Sequence, residues 1–236
     1  MSAAWVGRGS GRKMCPPMPP DAIASMLKAL FDAERAARQA QEELLEADPQ
    51  RVLPLLEQST REALALDASD EDESSMRLVR IAGVLGEMRG PRVVDLLIDI
   101  LGSDGPEARH AAGEALSALA FERFKEVALG IERALERLPK GSQAICELPY
   151  LLVEIPEPGV TKLLSRFLAL ADADGVAAAI EALVEIGDPG ALPLLEPLAA
   201  DPRRVQLEDA AGTEGEASIG ELVSEARTLL ARQGSA

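Results

Sequence analysis

The chain has 236 residues, and its 40 acidic and 24 basic side chains give a formal net charge of −16. This charge repels phosphate backbones and anionic bilayers, so it excludes generic nucleic-acid binding and attachment to an anionic membrane surface. Hydrophobic residues make up 47% of the sequence but aromatic residues only 3%. We therefore expect a core of Leu, Val, Ile and Ala packed between closely stacked helices.

The cysteine content and the lack of long apolar runs limit the class of protein further. Cys15 and Cys146 stand far apart and have no CxxC partner. This spacing favours neither a zinc site nor a disulfide framework, and it fits a reducing cytoplasm. No apolar run has the length of a transmembrane segment or the position of a secretory signal. We therefore expect a cytoplasmic protein, with an Arg- and Ala-rich, bacterial-like composition.

The first 20 residues have a composition of their own. They contain Arg8, Arg12 and Lys13, no acid, four prolines and three glycines. Such a segment cannot support a packed core, so residues 1–20 are predicted to be a disordered basic tail. Docking of this tail on a partner is the alternative, and Met14 and Met18 are alternatives to Met1 as the true start.

Residues 21–236 are predicted to form a single domain that begins with a long helix. This helix runs from Asp21 to about Glu46 and has apolar side chains along one side, from Ile23 to Phe31. Residues 21–48 are interpreted as a cap that covers the first repeat.

Internal repeats follow over residues 49–201. The aligned segments are PQRVLPLLEQ, PRVVDLLIDI, FKEVALGIER, PGVTKLLSRF and PGALPLLEPL. Their alignment superposes Val52, Val93, Val127, Val160 and Ala191, with spacings of 41, 34, 33 and 31 residues. Each unit reads as two helices, because apolar residues recur with a 3.6-residue period on both sides of the junction. A pair of apolar residues follows each aligned position, beginning with Leu55 and Leu56. These pairs predict a buried seam, by which we mean a continuous strip of core residues along the second helices.

The junction between the two helices carries a recurring proline. Pro189 disfavours helix in the residue before it and suits the first turn of a new helix, where Asp188 can cap the free amides. Asp48 with Pro49 and Asp201 with Pro202 are interpreted as the same device. Glu185 lies off the apolar stripe and is interpreted as a solvated side chain.

This pattern resembles the HEAT repeat family, in particular the short HEAT-like repeats of the phycobilisome-lyase type. The stretch GPEARHAAGEALSAL, from Gly105, is similar to the first-helix signature of that family, with Arg109 at the position of its usual Arg. The resemblance implies an all-α, right-handed α-solenoid of about five helix-pair repeats with terminal capping helices. The chain departs from it in the third unit, where LSALAFE contains no turn proline, and in the longer first spacing.

Two further segments lie between and after the repeats. Residues 67–76 hold five acids and are interpreted as an exposed linker, with a cation or basic-partner site as the alternative. Residues 202–236 are predicted to be a C-terminal cap, whose final helix begins at a capping box formed by Ser218 and Glu221.

No arrangement of residues predicts catalysis, a metal site or a cofactor. His110 is the single histidine, and we interpret it as an ordinary helix residue because no nucleophile accompanies it. The di-iron HEAT enzyme deoxyhypusine hydroxylase uses repeated His-Glu pairs, whereas here Ala111 follows His110. The HEAT-like alkylpurine glycosylases require a basic surface, which an acidic chain does not offer.

The second helices of a solenoid line a long surface, on which the positions beside the seam can meet a partner. The candidate partner-binding residues are Asp95, Ile98, Asp99, Arg133, Lys162, Arg166 and Glu196. Ile98 is expected to be exposed among these charges. Ordinary solvation of the same positions is the alternative. Pro54, Pro193 and Pro197 fall inside second helices and are predicted to kink or shorten them.

The sequence therefore predicts a non-catalytic scaffold or adaptor that binds a partner protein or peptide on the solenoid surface. We expect it to bind no nucleic acid, no membrane and no cofactor. A bilin-lyase-like or other cofactor-handling enzyme is the alternative that the resemblance leaves open.

Overall fold

The structure is a computed structural model that describes residues 19–66, 70–170, 172–208 and 214–233. It divides the chain into two compact units, one ending at Glu46 and the other beginning at Ala47. Of the predicted basic tail 1–20, all but the last two residues lie outside the described part. The predicted acidic linker 67–76 is described only from Asp70 onward.

The first unit contains the predicted long helix, α1, which spans Pro20–Glu46. Its charged residues pair along the helix, as in the contact of 2.6 Å between Lys28 Nζ and Asp32 Oδ2 and that of 3.0 Å between Arg38 Nε and Glu34 Oε1. None of its residues is buried. The prediction of a helix from Asp21 to about Glu46 is confirmed, and its role as a cap stays a prediction.

The second unit contains nine further α-helices among its described residues, and two short strands. The helices are α2 Pro49–Leu66, α3 Glu71–Glu87, α4 Pro91–Leu101, α5 Pro106–Arg137, α6 Gln143–Val153, α7 Val160–Phe167, α8 Ala173–Ile186, α9 Leu192–Leu195 and α10 Ile219–Gln233. The strands are β1 Arg204–Glu208 and β2 Glu214–Ser218. The predicted all-α class is confirmed for the body of the unit, whereas the strand pair was not predicted.

Helices in this unit alternate between two sets. From α2 to α6, each helix contacts both the next helix and the one after it. We call α3, the first part of α5, α6 and α8 the first helices, and α2, α4, the second part of α5, α7 and α9 the second helices. Glycines allow close packing within each set, since Gly86 of α3 faces Ala115 of α5, and Gly130 of α5 faces Val94 of α4.

The core follows the repeat alignment. All five aligned residues are buried: Val52, Val93, Val127, Val160 and Ala191. The residues four positions later are buried as well: Leu56, Leu97, Ile131, Leu164 and Leu195. Leu55 is an exception to the predicted seam, because 64% of it is exposed. Its counterpart Gly130 packs on the preceding second helix, and within this unit no second helix precedes α2.

The third repeat turns without a proline. The assigned helix α5 is continuous from Pro106 to Arg137, but Arg123 has the non-helical angles φ −142° and ψ 49°. Arg123 donates from Nη2 to the carbonyl oxygen of Met88 at 3.1 Å, and its Nη1 lies 3.3 Å from Glu126 Oε2. One residue, held by contacts to the preceding junction, thus replaces the turn found in the other repeats.

Two of the three predicted aspartate caps begin helices. Asp48 accepts a hydrogen bond from the Gln50 amide at 3.0 Å, and Asp188 accepts one from the Gly190 amide at 2.8 Å. Asp201 also accepts from an amide, that of Arg203 at 3.0 Å, but a strand follows it, so the predicted helix start there is wrong. Arg203 explains the difference, because its Nη1 donates to the carbonyl oxygen of Leu170 at 2.7 Å and holds the chain extended.

The prolines inside second helices act differently at the two ends of the unit. Pro193 and Pro197 lie where the last second helix breaks into the 3-10 turn Pro189–Ala191, the short α9 and the 3-10 turn Glu196–Leu198, as predicted. At Pro54 the predicted shortening is wrong, because α2 continues for 18 residues. Pro54 is exposed near the start of α2, where water can solvate the carbonyl that lacks its partner.

The end of the unit is an antiparallel pair of strands followed by α10. Strands β1 and β2 pair antiparallel, with Arg204 opposite Ser218. The predicted capping box is confirmed, because the Ser218 amide donates to Glu221 Oε2 at 2.7 Å and the Glu221 amide donates to Ser218 Oγ at 3.2 Å. The residues of α10 that face inward are Ile219, Val223, Ala226 and Leu230.

Candidate partner-binding surface

The seven residues predicted to meet a partner lie on successive second helices. Asp95, Ile98 and Asp99 belong to α4, Arg133 to the second part of α5, and Lys162 and Arg166 to α7, while Glu196 begins the 3-10 turn after α9. Five of them form ion pairs with a neighbouring element, but only Asp95 and Arg133 pair with each other.

The contact between Asp95 and Arg133 is the most enclosed of these pairs. Arg133 donates to Asp95 Oδ1 from Nε at 3.1 Å and from Nη2 at 2.7 Å, and its Nη2 also donates to the carbonyl oxygen of Pro91 at 3.1 Å. Asp95 is only 9% exposed. Gly130, one turn before Arg133, makes this reach possible by letting α5 approach Val94. Asp95 therefore joins two helices and is not a free contact for a partner.

Asp99 makes a similar contact one turn further along α4. Arg137 donates from Nη1 to Asp99 Oδ1 at 2.5 Å and from Nη2 to the carbonyl oxygen of Asp95 at 3.0 Å. Burial raises the pKa of the Asp99 carboxyl, and the hydrogen bond from Arg137 partly opposes this rise. Arg137 was not among the predicted residues.

The same arrangement recurs along the second helices, with an acid on one element and an arginine on the next. We call these five pairs the charge ladder: Glu57–Arg92, Asp95–Arg133, Asp99–Arg137, Glu132–Arg166 and Glu196–Arg227. In the first pair, the hydrogen bond from Arg92 lowers the pKa of Glu57, and the pKa of Arg92 is raised by the same bond. The ladder links α2, α4, the second part of α5 and α7 in sequence, and separately links the turn after α9 to α10.

Three arginines of the charge ladder were not among the residues predicted from the sequence, namely Arg92, Arg137 and Arg227. Arg92 is 35 positions after its acid and Arg137 is 38 positions after its own. These separations are close to one repeat length. A search for opposite charges one repeat apart is therefore the signal that would have found them.

Ile98 is not exposed, so its prediction as a partner contact is wrong. It is 0% exposed, as is Leu97 beside it. The reason is that α4 contacts α2, α3, α5 and α6 and is surrounded on most of its circumference. The helical stripe that faces solvent on α4 is narrower than the sequence pattern indicated.

Lys162 and Arg166 on α7 remain available to solvent. The side chain of Arg166 is 62% exposed, although its Nη2 lies 3.3 Å from Glu132 Oε1. Lys162 is exposed and makes no ion pair with the part of the chain that the structure describes. Of the seven predicted residues, these two and Glu196, whose side chain is 63% exposed, are open to a partner.

The residues considered for chemistry lie apart from the charge ladder. His110 is an exposed residue of α5 whose Nε2 lies 3.5 Å from Glu114 Oε1 in the next turn, and Glu185 on α8 is exposed. Burial raises the pKa of Cys146 to about 11, so its thiol is protonated and weakly nucleophilic at neutral pH.

Neither a metal site nor a membrane span is found in the part of the chain that the structure describes. The described residues contain no group of three or more His, Cys, Asp or Glu side chains arranged to hold a metal ion. Within the same residues, every helix is too short or too polar to cross a membrane.

Comparison with known proteins leaves the chain without an assigned family. No family model matches it, and no curated protein matches it. Among solved structures, the crystal structure of an engineered protein is similar at 18% identity and a TM-score of 0.34, over 85% of this chain and 90% of that one. Human deoxyhypusine hydroxylase in complex with glycerol is similar at 16% identity and a TM-score of 0.32, over 86% of this chain and 98% of that one. Both similarities are too weak to assign a fold family or an activity.

Proposed function

We propose that this chain is a right-handed α-solenoid of about five HEAT-like repeats that serves as a non-catalytic scaffold for a partner protein or peptide. The repeat spacing and the contacts of each helix with the next two support the solenoid. So does the burial of all five aligned residues. The proposal extends the resemblance noted in the sequence and rests on the packing of the second unit.

The observation that carries the binding function is the partial exposure of the arginines in the charge ladder. Their side chains are between 36% and 62% exposed, although each one bonds to an acid on a neighbouring element. A guanidinium has five N–H groups, so a bond to one carboxylate leaves donors for a second acceptor. Arginine is also among the residues that contribute most to protein interfaces. The acids of the ladder thus hold several arginines in place on one series of helices. A partner that binds these arginines does not have to order free side chains, so less conformational entropy is lost on binding.

The test is capture of partners from cell extract by the immobilised protein, compared with a variant that carries Lys162→Ala and Arg166→Ala. These side chains are exposed, so their removal leaves the packing of the helices intact. A matched control carries Lys125→Ala and Lys140→Ala, which removes two exposed bases outside the ladder. We expect the control to keep a partner that the variant loses.

Two outcomes would contradict this function. If the Lys162→Ala/Arg166→Ala variant captures the same partners as the wild type, the exposed bases of α7 do not bind them. If the purified protein is coloured or carries a stoichiometric metal, a cofactor-handling activity replaces the scaffold.

A further inference from the structure

A long groove lies beside α10 at the end of the second unit. It has a volume of about 830 Å³, and a second groove of about 520 Å³ adjoins it and shares Arg227 and Ala231 as lining residues. The larger groove follows one stripe of the helix, on which Gly220, Ser224 and Thr228 are spaced by four residues and Arg227 lies three residues after Ser224. The groove therefore runs along the helix axis and does not form a round pocket.

The broken last second helix explains why the groove is open. The four residues of α9 make a helix of about 6 Å, whereas the 15 residues of α10 extend over about 22 Å. Pro193 and Pro197 prevent α9 from continuing along its neighbour. The short α9 and the two 3-10 turns beside it contact α10, and the stripe of α10 that contains Ser224 and Thr228 is left exposed.

The floor of the groove consists of small residues. A Cβ atom at Gly220 would lie 2.9 Å from the carbonyl oxygen of Ala199, so only glycine fits where α10 crosses this segment. Ser224 and Thr228 continue the stripe, and the Thr228 hydroxyl donates to the Ser224 carbonyl oxygen at 3.0 Å. Because these side chains are short, the backbone of an incoming helix can approach α10 closely.

The charge of the groove is opposite to that of the chain. Arg227 and Arg232 line it, and Glu196 lies at its edge, 2.8 Å from Arg227 Nη1. The groove therefore has an excess of positive charge within a chain whose net charge is −16. An acidic ligand is repelled by the chain as a whole, so stable binding of such a ligand requires a local basic site.

We propose that this groove binds an acidic amphipathic helix of a partner protein. Carboxylates on the helix would pair with Arg227 and Arg232, and its small and aliphatic side chains would lie over Ser224 and Thr228. This proposal rests on the scaffold function above and assigns the partner a chemical class and a second surface.

The probe is a fluorescein-labelled peptide of about 15 residues, long enough to cover α10, made of Leu-Glu-Glu-Leu-Ala-Glu-Ala heptads that place the leucines and the glutamates on opposite faces of a helix. The same peptide with Gln in place of Glu is the control for charge. We expect saturable binding of the Glu peptide to the full chain, measured by fluorescence anisotropy, and binding of the Gln peptide roughly tenfold weaker or less. The loss of affinity caused by Arg227→Gln/Arg232→Gln should shrink as the salt concentration rises, because salt screens the attraction that those arginines supply.

Two variants test separately how the positive charge of the groove and its open space contribute to peptide binding. Arg227→Gln/Arg232→Gln removes both positive charges, and Ser224→Leu fills the exposed middle of the groove while keeping both arginines. Each should weaken binding roughly tenfold or more. The control Lys125→Gln/Lys140→Gln removes the same number of charges at exposed sites outside the groove and should change the affinity by less than about twofold. Circular dichroism melting checks that each variant is folded.

Three results would overturn the proposal: no saturable binding of the Glu peptide, an equal loss in the Lys125→Gln/Lys140→Gln control, or unchanged binding in the Ser224→Leu variant. Sedimentation of the full chain provides a further check. A dimer that Ser224→Leu dissociates would assign the groove to a second copy of the chain and contradict the helix of a separate partner. If the peptide fails to bind but Lys162→Ala/Arg166→Ala still loses a captured protein, only the groove proposal fails.

Discussion

Arg133 on α5 donates two hydrogen bonds to Asp95 on α4, at 3.1 Å from Nε and at 2.7 Å from Nη2. Asp95 is almost completely buried at this contact. This pair joins consecutive repeats. It also shows why a charged residue beside a repeat seam is not necessarily a binding residue.

Replacing Asp95 with Ala should destabilise the protein by about 1–3 kcal/mol, because Arg133 loses both bonds from a partly buried position. The matched control is Glu132→Ala, which breaks the more exposed pair with Arg166 and should cost less than about 1 kcal/mol. Urea unfolding measures both changes. Equal effects of the two substitutions would contradict the difference in burial that the structure shows.

Two glycines of α5 should respond to alanine in opposite directions. At Gly130 a Cβ atom would lie 2.3 Å from Val94 Cγ1, so Gly130→Ala forces the helices apart and should cost roughly 1–3 kcal/mol. At Gly113 the nearest side-chain atoms are Leu151 Cδ2 at 3.4 Å and Leu101 Cδ1 at 3.8 Å, which are ordinary contacts. Gly113→Ala should therefore stabilise the helix by roughly 0.5–1 kcal/mol.

Thermal unfolding of these two variants tests the close approach of α4 and α5. If Gly130→Ala has the same stability as Gly113→Ala, the second part of α5 does not lie against α4 as described.

The ionised carboxyl of Asp201 should contribute to the stability of the fold in a pH-dependent way. Hydrogen bonds from Arg203 lower the pKa of its carboxyl below the usual 3.8, so the folded state binds a proton less readily than the unfolded state. The stabilisation is therefore present above the unfolded pKa and is lost as the pH falls through the folded pKa. Asp201→Asn should be less stable than the wild type at pH 6, and the difference should shrink below about pH 4.

Urea unfolding of both proteins across this pH range provides the measurement. The interpretation is wrong if the difference between Asp201→Asn and the wild type stays constant from pH 6 to pH 3.

The thiol of Cys146 should react slowly. With its pKa raised to about 11 by burial, about one thiol in a thousand is ionised at pH 8. In a Cys15→Ser background, alkylation of Cys146 by iodoacetamide at pH 8 should be much slower than alkylation of glutathione, and unfolding in urea should abolish the difference. Mass spectrometry follows the reaction, and rapid alkylation of the folded protein would contradict the raised pKa of this half-buried thiol.

The repeat body was predictable from sequence because burial follows local periodicity. Val52, Val93 and Val127 align by simple spacing, and each is buried. Ile98 was misjudged because its exposure depends on how many helices surround α4, which a helical period does not report. Arg137 was missed because its partner lies 38 residues away, although one repeat length separates them.

The end of the unit was less predictable for a different reason. The capping box at Ser218 uses residues three positions apart and was found, whereas the pairing of β1 with β2 joins residues up to 14 positions apart, such as Arg204 and Ser218. The extended chain after Asp201 depends on Arg203 reaching the carbonyl of Leu170, a contact between segments 33 residues apart. Neither contact can be predicted from a local sequence pattern, because each joins residues that are distant in the sequence.

The central claim is that the ladder pairs formed by Asp95 and Asp99 hold the repeats together, while the exposed side chains of Lys162 and Arg166 on α7 bind a partner. The most direct measurement is capture of partner proteins by Lys162→Ala/Arg166→Ala alongside its melting temperature. We predict a melting temperature within about 2 °C of the wild type and loss of a partner that Lys125→Ala/Lys140→Ala retains. Retention of every partner by a folded Lys162→Ala/Arg166→Ala variant would contradict the claim.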